Sequence, residues 1–521
     1  MEPARPASDQ ELELAVGDVA QGGWCVAREP GGRVVLVRHT LPGERVLARL
    51  TESTAKLARA EAVEILEASP DRVEPPCPHA HPGGCGGCDW QHASLAAQRR
   101  FKAAVIAQQL RRIAGLDREV TVEPLPGDED GLGWRTRVRF AVRADGLAGL
   151  RRHRSHEIVD VGTCPIAHPL VNDSGITQGR WPGAESVAAV TSPSTGERAV
   201  VVTPGRPPRR RRPAGRGAVR AGGRAGREPG PRSVDSPGGW DSAGGDRAGR
   251  DRAGGDPAGR DRAGKDRAGK DRAGKDRAGK DRAGKDRAGK DRAGRDGGGR
   301  TGPDAWAAQV EDPVLVAAEG SGLTALRGGP FLRRTAAGRA WRTSAGVFWQ
   351  VHPAAADVLA GLVGEILRPQ PGDVVLDLYC GAGLFAGVLA GAVGPSGTVI
   401  GFESDPAAVR DARHNLRDTP WARIHKGDVA EVLGHAGWAE ASLAVLDPPR
   451  AGVGRPVLDQ LLRPGTALRR VAYVSCDPAT LARDIAVFAE AGWELGALRA
   501  FDAFPMTHHV ECVATLTRAA G

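Results

Sequence analysis

The sequence predicts an α/β protein in which a doubly wound, mostly parallel sheet forms the C-terminal part of the chain. Three observations support this fold class. From about residue 353 onward, apolar strands and helices alternate along the chain, which is typical of such sheets. Residues 12–67 instead contain short alternating strands, which predict a separate small β-barrel. Between these parts, a long segment of biased composition interrupts the pattern of strands and helices, so we expect a central α+β domain with an insert.

The N-terminal strands are separated by turn residues at Gly22-Gly23, Gly31-Gly32 and Pro42-Gly43. Their length and rhythm predict a five-stranded barrel of the OB type, which we assign to residues 1–70. Barrels of this type can bind nucleic acid. An ordinary all-β domain without a ligand would show the same pattern.

The central domain is assigned to residues 71–340, with an insert at 205–303. The insert contains no Leu, Ile, Phe or Tyr, and residues 265–294 are six consecutive copies of KDRAG. A five-residue period matches neither a helix face nor a strand, and too few large apolar side chains are available to offset the entropy lost on ordering. We therefore predict a disordered loop between two strands. Loose electrostatic binding of RNA is the alternative role.

This insert distorts the charge of the chain. It carries 29 Lys and Arg against 14 Asp and Glu, so the rest of the chain has a net charge of −6 although the total is +9. A pI of 9.4 is therefore no indication of nucleic-acid binding by the folded part. The N-terminus lacks the apolar segment of a secretory signal, and the most apolar stretch, 374–394, is interrupted by Asp377 and glycines. A soluble cytoplasmic protein is expected.

The C-terminal domain is assigned to residues 341–521. Its predicted helices are 354–367, 384–392, 406–416, 457–462 and 478–491. Its predicted strands are 374–378, 398–402, one in RIHKGD, 443–446, 470–475, 494–500 and 509–516.

Glycines and acidic residues follow the strands of this domain. The first strand leads into Asp377-Leu-Tyr-Cys-Gly381-Ala-Gly383, where the glycines let a ligand approach the backbone. Glu403 ends the next strand and can accept hydrogen bonds from ribose hydroxyls, and Asp428 follows the third strand. The fourth strand ends in Asp447-Pro-Pro-Arg450. Because parallel strands present their carboxyl ends at one edge, this set predicts a site for S-adenosylmethionine. The third glycine of a dinucleotide-binding GxGxxG turn is missing.

The fifth strand ends at Cys476, directly before a predicted helix. Asp477 is the expected N-cap and Pro478 the first helical residue. Cys476 is thus a candidate nucleophile at a helix N-terminus, where the dipole favours the thiolate. Glu511, at the head of the last strand, is the candidate base. Taken singly, each has a plainer interpretation as a buried thiol or a surface carboxylate.

Four further cysteines are Cys77, Cys85 and Cys88, with the spacing C-x7-C-x2-C, and the distant Cys164. Four thiolates suit either an iron–sulfur cluster or structural zinc. Zinc sites more often pair two CxxC units, and only one is present here.

Together these segments resemble the RNA uridine-5 methyltransferases that carry an N-terminal TRAM domain and an iron–sulfur cluster. LPGERV at 41–46 is similar to the TRAM hallmark, and SAGVFWQVHP at 344–353 resembles the family's segment before the methyltransferase sheet. LDLYCGAGLFA, GFESDPAAVRDARHN, DPPRAG, VSCDPATLARD and FDAFPMTHHVE follow in the family's order. The resemblance covers nearly everything except the insert. It implies a class I methyltransferase (Rossmann-like) fold for the C-terminal domain.

The resemblance also implies residue roles. Cys476 would add to C6 of uracil and Glu511 would take the C5 proton. The cofactor-contacting positions would be Gln350, Tyr379, Glu403, Asp428 and Asp447. The substrate positions would be Phe348, which stacks on a flipped base, and Arg450, which holds the pyrimidine. The ligands of a 4Fe–4S cluster would be Cys77, Cys85, Cys88 and Cys164. In one departure, His352 stands where many members have Asn.

The expected substrate is a uridine in structured RNA. The TRAM domain favours 23S ribosomal RNA, transfer RNA is the alternative, and a monomer is expected. Cytosine-5 RNA methyltransferases carry a Cys directly after the two prolines, where this chain has Arg450. Exocyclic-amine methyltransferases have a (D/N)PP(Y/F) motif and need no nucleophilic cysteine. A non-enzymatic RNA-binding protein would be expected to lose Cys476, Glu511 or Glu403, all of which are present.

Overall fold

The computed structural model describes residues 10–205, 302–318, 322–434 and 437–518. All of these belong to one compact unit. The segment predicted to be a disordered insert, 205–303, lies almost wholly outside the described residues.

The N-terminal strands β1–β5 form a closed barrel in the order β1-β2-β3-β5-β4, which confirms the predicted barrel. Their bounds are β1 Glu11–Ala20, β2 Trp24–Arg28, β3 Val34–Arg38, β4 Arg45–Ser53 and β5 Leu57–Glu67. Inside the LPGERV segment, Glu44 is 1% exposed. Its carboxylate accepts hydrogen bonds from the Leu41 and Ser69 amides and pairs with Arg72. This buried ion pair ties the turn before β4 to the chain that leaves the barrel.

Helix α1, Leu95–Gln109, joins the barrel to the rest of the molecule. Ser94 caps it by accepting from the Ala97 amide at 3.3 Å. A π-helical turn, Leu110–Ala114, extends it to Gly115, whose φ is 66°. One part of the helix packs in the barrel core, and Ile106 packs in the core of the C-terminal sheet.

The central region forms an extended sheet in the order β13-β12-β11-β10-β7-β8-β9. The elements from here to the hairpin β14–β15 are β6 Val122–Pro124, β7 Arg137–Val142, β8 Ala148–Arg151, β9 Ile158–Val159, α2 Pro169–Asn172, β10 Ala184–Ser192, β11 Glu197–Pro204, α3 Pro303–Ala307, β12 Val314–Ala318, β13 Gly322–Arg327, β14 Phe331–Ala336 and β15 Arg339–Ser344. The insert begins directly after β11 and ends at Pro303, the first residue of α3.

The C-terminal elements alternate as predicted. They are α4 Ala355–Leu367, β16 Val374–Leu378, α5 Leu384–Val393, β17 Thr398–Glu403, α6 Pro406–Asn415, β18 Ala422–Lys426, α7 Val429–Leu433, β19 Leu443–Leu446, α8 Arg455–Leu461, β20 Arg470–Ser475, α9 Pro478–Glu490, β21 Trp493–Asp502 and β22 Glu511–Arg518.

The C-terminal strands form a sheet in the order β18-β17-β16-β19-β20-β22-β21-β6. Strands β16–β20 are parallel, and β22 inserts antiparallel between β20 and β21. Strand β6 extends the sheet from the region that we assigned to the central domain. Apolar cores cover both faces of the sheet, which leaves its carboxyl edge as the place for polar side chains.

Candidate active site

The glycine turn after β16 shapes the carboxyl edge of the sheet. Gly383 has a φ of 91°, and a Cβ there would lie 3.3 Å from Ala412 and Leu416 side-chain atoms. Both the left-handed backbone and the limited space therefore favour glycine. The Gly381 amide donates to Glu403 Oε2 at 3.0 Å, which fixes the carboxylate beside the turn.

The predicted acids meet at this edge. The Asp405 amide donates to Glu403 Oε1 at 2.7 Å, and Asp428 Oδ1 accepts from the Ala430 amide at 2.9 Å. Asp447 directly follows β19, beside the carboxyl end of β16. Burial raises the pKa of the Asp447 carboxyl to about 7. Burial also raises the pKa of Tyr379 to about 12, with a contribution from the Asp428 charge.

The segment that carries Gln350 and Phe348 lies against the same turn. Val347 packs with Ala382 of the glycine turn. Arg137 of the central sheet donates to the Val347 carbonyl at 3.0 Å. Gln350 is 9% exposed and Phe348 is 41% exposed. The central sheet therefore positions a buried amide and an exposed aromatic ring next to the candidate cofactor site.

Cys476 and Glu511 are brought together by strand pairing. Ser475 of β20 is the partner of Cys512 of β22. Because the two strands are antiparallel, the next residue of one, Cys476, comes opposite the preceding residue of the other, Glu511. Glu511 raises the pKa of the Cys476 thiol, as expected for a nearby carboxylate. Glu511 is 4% exposed.

The helix after Cys476 begins as predicted. Asp477 Oδ1 accepts from the amides of Ala479 and Thr480 at 3.0 and 2.9 Å, and Pro478 is the first residue of α9. The helix dipole favours a thiolate at Cys476, but it does not decide the state of the thiol in the free protein. Burial raises the pKa of the Cys476 thiol to about 12, and the neighbouring carboxylates add to this effect. Arg450 lowers this pKa but does not offset burial.

The surroundings of Glu511 likewise favour its protonated form in the free protein. Burial and the charge of Asp447 hold the pKa of its carboxyl well above its usual range, while Arg450 acts in the opposite direction. Arg450 is therefore the cation common to Cys476 and Glu511. Its Nη2 donates to His509 Nε2 at 3.0 Å.

His352 packs away from solvent at 3% exposure. Its ring stacks on Trp134 with 6.3 Å between centroids, and its Nδ1 accepts from the Ala354 amide at 3.2 Å. Burial lowers the pKa of His352 to about 4, so the ring is neutral at pH 7. Among the described residues its Nε2 has no hydrogen-bond partner.

Two contacts at the site were missed by the sequence analysis. Gln21 of the barrel donates to Asp477 Oδ2 at 2.9 Å. Asp89, next to Cys88, accepts from His508 Nδ1 at 2.6 Å. Each contact joins residues more than 400 positions apart, so no local pattern indicates it.

The four cysteines of the proposed cluster lie in one neighbourhood. Burial raises the pKa of the Cys85 and Cys88 thiols, and nearby Cys164 adds to the shift of both. Cys77 adds in the same way to the raised pKa of Cys85 and of Cys164. The Gly87 amide donates to Cys85 Sγ at 3.4 Å. In the described part of the chain, which includes all four thiols, no group of His, Cys, Asp or Glu side chains is arranged to hold a metal ion.

Within the described ranges, no helix combines the length and apolar character that crossing a lipid bilayer requires.

Three family models match the chain. Residues 9–63 match the TRAM domain, residues 369–444 a methyltransferase domain, and residues 438–519 the family described as tRNA (uracil-5-)-methyltransferase.

Curated relatives match over almost their whole length. The chain is 43% identical to an uncharacterized RNA methyltransferase of Streptomyces avermitilis, covering 98% of this chain and 99% of the relative. It is 30% identical to one of Bifidobacterium longum, covering 98% and 97%. Among solved structures, Pyrococcus abyssi tRNA (uracil-54, C5)-methyltransferase in complex with S-adenosyl-L-homocysteine has a TM-score of 0.60 at 21% identity, covering 97% of this chain and 99% of that one.

The solved structure supports the fold, and the curated relatives decide the family. The closed barrel coincides with the TRAM match, and the C-terminal sheet with the two methyltransferase matches. The chain therefore belongs to the RNA uracil-5-methyltransferase family whose members carry an N-terminal TRAM domain.

Proposed function

We propose that this methyltransferase modifies C5 of a uridine in structured RNA through a covalent bond between Cys476 and C6 of the base. The observation that carries the proposal is the pairing of β20 with β22, which sets Cys476 opposite Glu511. Asp447 and Arg450 follow the neighbouring strand, β19, and the charges of both act on the Glu511 carboxyl. A nucleophile, a base and a cation thus share one edge of the sheet with the candidate cofactor residues.

The chemistry requires this combination because C5 of uracil is a poor nucleophile. Cys476 Sγ bonds to C6 as a thiolate, which places electron density on C5. The thiol must first lose its proton to solvent; burial opposes this loss, and Arg450 favours it by lowering the pKa of the thiol. The flipped base lies against Phe348, whose exposed ring offers a stacking surface.

S-adenosylmethionine supplies the methyl group that C5 acquires. Glu403 would accept hydrogen bonds from its ribose hydroxyls, and Gln350, Tyr379, Asp428 and Asp447 would complete the binding site. The donor set fits this cofactor, since the glycine turn leaves backbone accessible and Glu403 is already oriented by the Gly381 and Asp405 amides.

Glu511 completes the reaction by taking the C5 proton, after which the C6–Sγ bond breaks and the thiolate leaves. The carboxyl must be ionised at this step. Arg450 favours ionisation, and burial keeps competing water away from the adduct. One proton is released per methyl group transferred.

The substrate that we propose is 23S ribosomal RNA, because the TRAM barrel lies directly at the active site through the contact between Gln21 and Asp477. Transfer RNA is the second candidate, because the family model that covers residues 438–519 is named for it. We further propose that the protein acts as a cytoplasmic monomer.

Methylation of both RNAs with labelled S-adenosylmethionine tests the proposal. The expected product is 5-methyluridine, at one position of 23S ribosomal RNA, and Cys476→Ala abolishes it. The matched control is Cys25→Ala, which changes a buried barrel thiol. A Cys476→Ala variant that forms 5-methyluridine at the wild-type rate would contradict the covalent mechanism. Product in transfer RNA alone would change the assigned substrate.

We propose that Cys77, Cys85, Cys88 and Cys164 hold a 4Fe–4S cluster with a structural role. The support is the donor set: four thiols lie in one neighbourhood, close enough for their charges to interact, and the Gly87 amide donates to Cys85 Sγ. Four thiolates suit either a 4Fe–4S cluster or structural zinc, and zinc sites more often pair two CxxC units. Iron and sulfide analysis of anaerobically purified protein tests this, and stoichiometric zinc without sulfide would contradict it.

A further inference from the structure

The loop that leads into Glu511 is held from outside the methyltransferase sheet. Its central residue, Met506, has a φ of 67°. The Met506 carbonyl accepts from the amides of Asp89 and Trp90 at 2.9 and 3.0 Å, and the Met506 amide donates to Gln98 Oε1 at 2.8 Å. Residues between the barrel and α1, together with Gln98 of α1, therefore fix this loop on both sides.

The Asp89 side chain accepts two hydrogen bonds from this loop. Its Oδ2 accepts from the His508 amide at 3.1 Å and from His508 Nδ1 at 2.6 Å. The side chain is 9% exposed, so these bonds are shielded from water. They fix both the backbone and the ring orientation of His508.

His508 is in turn coupled to Arg450. The rings of His508 and His509 lie 4.0 Å apart. His509 Nε2 accepts from Arg450 Nη2 at 3.0 Å. A neutral imidazole is required for this bond, and burial together with the charges of His508 and Arg450 holds the pKa of His509 well below its usual range. A continuous series of contacts therefore joins Asp89 to the cation that acts on Cys476 and Glu511.

The barrel supports Asp89 from the opposite side. Arg38 Nη2 donates to Asp89 Oδ1 at 3.3 Å. Gly23 packs so closely that an added Cβ would lie 2.7 Å from the Asp89 Cβ. Both oxygens of Asp89 are thus occupied, one by the barrel and one by the loop before Glu511.

We propose that Asp89 is a positioning residue that orients Arg450 through His508 and His509 and thereby couples the barrel to the chemical step. The proposal rests on the proposed function, since it assigns Arg450 to the reacting base. Asp89 itself contacts neither Cys476 nor Glu511 in any hydrogen bond or ion pair described. Substitution of Asp89 is therefore expected to lower kcat and to leave RNA binding almost unchanged, because RNA binding depends on a larger surface.

The test is steady-state methylation kinetics of Asp89→Asn and His508→Gln on the RNA that wild type modifies. The matched control is Asp312→Asn, because Asp312 is also 9% exposed and pairs with Arg198 at 2.9 Å in the central sheet. We expect kcat to fall roughly 10–100-fold in each test variant, as displacement of a catalytic group by about 1 Å commonly costs. KM for RNA should change less than about threefold, and Asp312→Asn should stay within about twofold of wild type in kcat.

The double variant separates coupling from general damage. If Asp89 acts through His508, the kcat of the double variant should be no lower than that of the less active of the two single variants. A kcat within about twofold of wild type for Asp89→Asn, an effect on KM alone, or additive losses would overturn the proposal. His508→Gln tests the same series if Asp89→Asn fails to fold. The proposed function is tested separately, by identifying the methylated nucleotide that wild type makes. The ratios of kcat and KM between variant and wild type do not depend on which RNA position is methylated.

Discussion

Asp477→Ala should destabilise the protein more than removal of an ordinary helix cap, because Asp477 serves two elements. One oxygen caps α9 through the amides of Ala479 and Thr480, and the other accepts from Gln21 of the barrel. Loss of an Asp N-cap costs about 1 kcal/mol. Loss of the Gln21 hydrogen bond adds about 1 kcal/mol. We therefore expect a total of about 2 kcal/mol.

Asp405→Ala is the matched control. Asp405 precedes Pro406 at the start of α6, as Asp477 precedes Pro478, but the side chain of Asp405 makes one described hydrogen bond, to the Ala407 amide at 2.7 Å. This variant should lose about 1 kcal/mol. Urea denaturation followed by tryptophan fluorescence measures both variants, and Gln21→Ala isolates the contact with the barrel. Equal losses of unfolding free energy for Asp477→Ala and Asp405→Ala would refute the reasoning that the barrel stabilises the start of α9, the helix that follows Cys476.

Three other predictions concern buried groups. Because burial raises the pKa of Cys476 to about 12, iodoacetamide should alkylate it at pH 8 on the order of 10³-fold more slowly than a free cysteine. Its rate should rise with pH through pH 10, and a plateau near pH 8, read by peptide mass spectrometry, would contradict this. Glu511→Gln should gain thermal stability over wild type, increasingly so from pH 5 to pH 8, because the folded-state pKa of Glu511 is raised. Wild type then loses stability as the pH rises above the pKa of an unfolded Glu, about 4.3. An equal difference in melting temperature between variant and wild type at pH 5 and at pH 8 would contradict this prediction. Lys102→Met should cost about 3–5 kcal/mol in urea denaturation, because it leaves the fully buried Asp502 without its lysine partner. Pairing it with Asp502→Leu should restore most of the loss, and a single variant as stable as wild type would contradict the argument.

The sequence predicted what local patterns determine. The strands 374–378, 443–446 and 470–475 have the predicted bounds, because short apolar runs between turn residues have few alternatives. The positions of Glu403 and Asp447 at the carboxyl edge were predicted for the same reason, since Glu403 ends such a strand and Asp447 directly follows one.

The arrangement around the nucleophile depends on long-range packing and was not predictable in this way. Gln21 meets Asp477 only because the closed barrel lies against α9, and β6 joins the C-terminal sheet from a distant part of the chain. The thiol of Cys476 was expected to ionise readily from its position before a helix. Its surroundings decide otherwise, because desolvation and nearby carboxylates outweigh the helix dipole.

Trapping the covalent intermediate tests the central claim most directly. Glu511→Gln keeps the size of the side chain but cannot accept the C5 proton, so the bond between Cys476 and C6 should persist. After incubation with substrate RNA and S-adenosylmethionine, we predict a protein–RNA complex that survives denaturation, with a C5-methylated uracil linked to the Cys476 peptide by mass spectrometry. The Cys476→Ala, Glu511→Gln double variant should give no such complex. Free, fully methylated RNA from Glu511→Gln, or a link to another cysteine, would contradict the account.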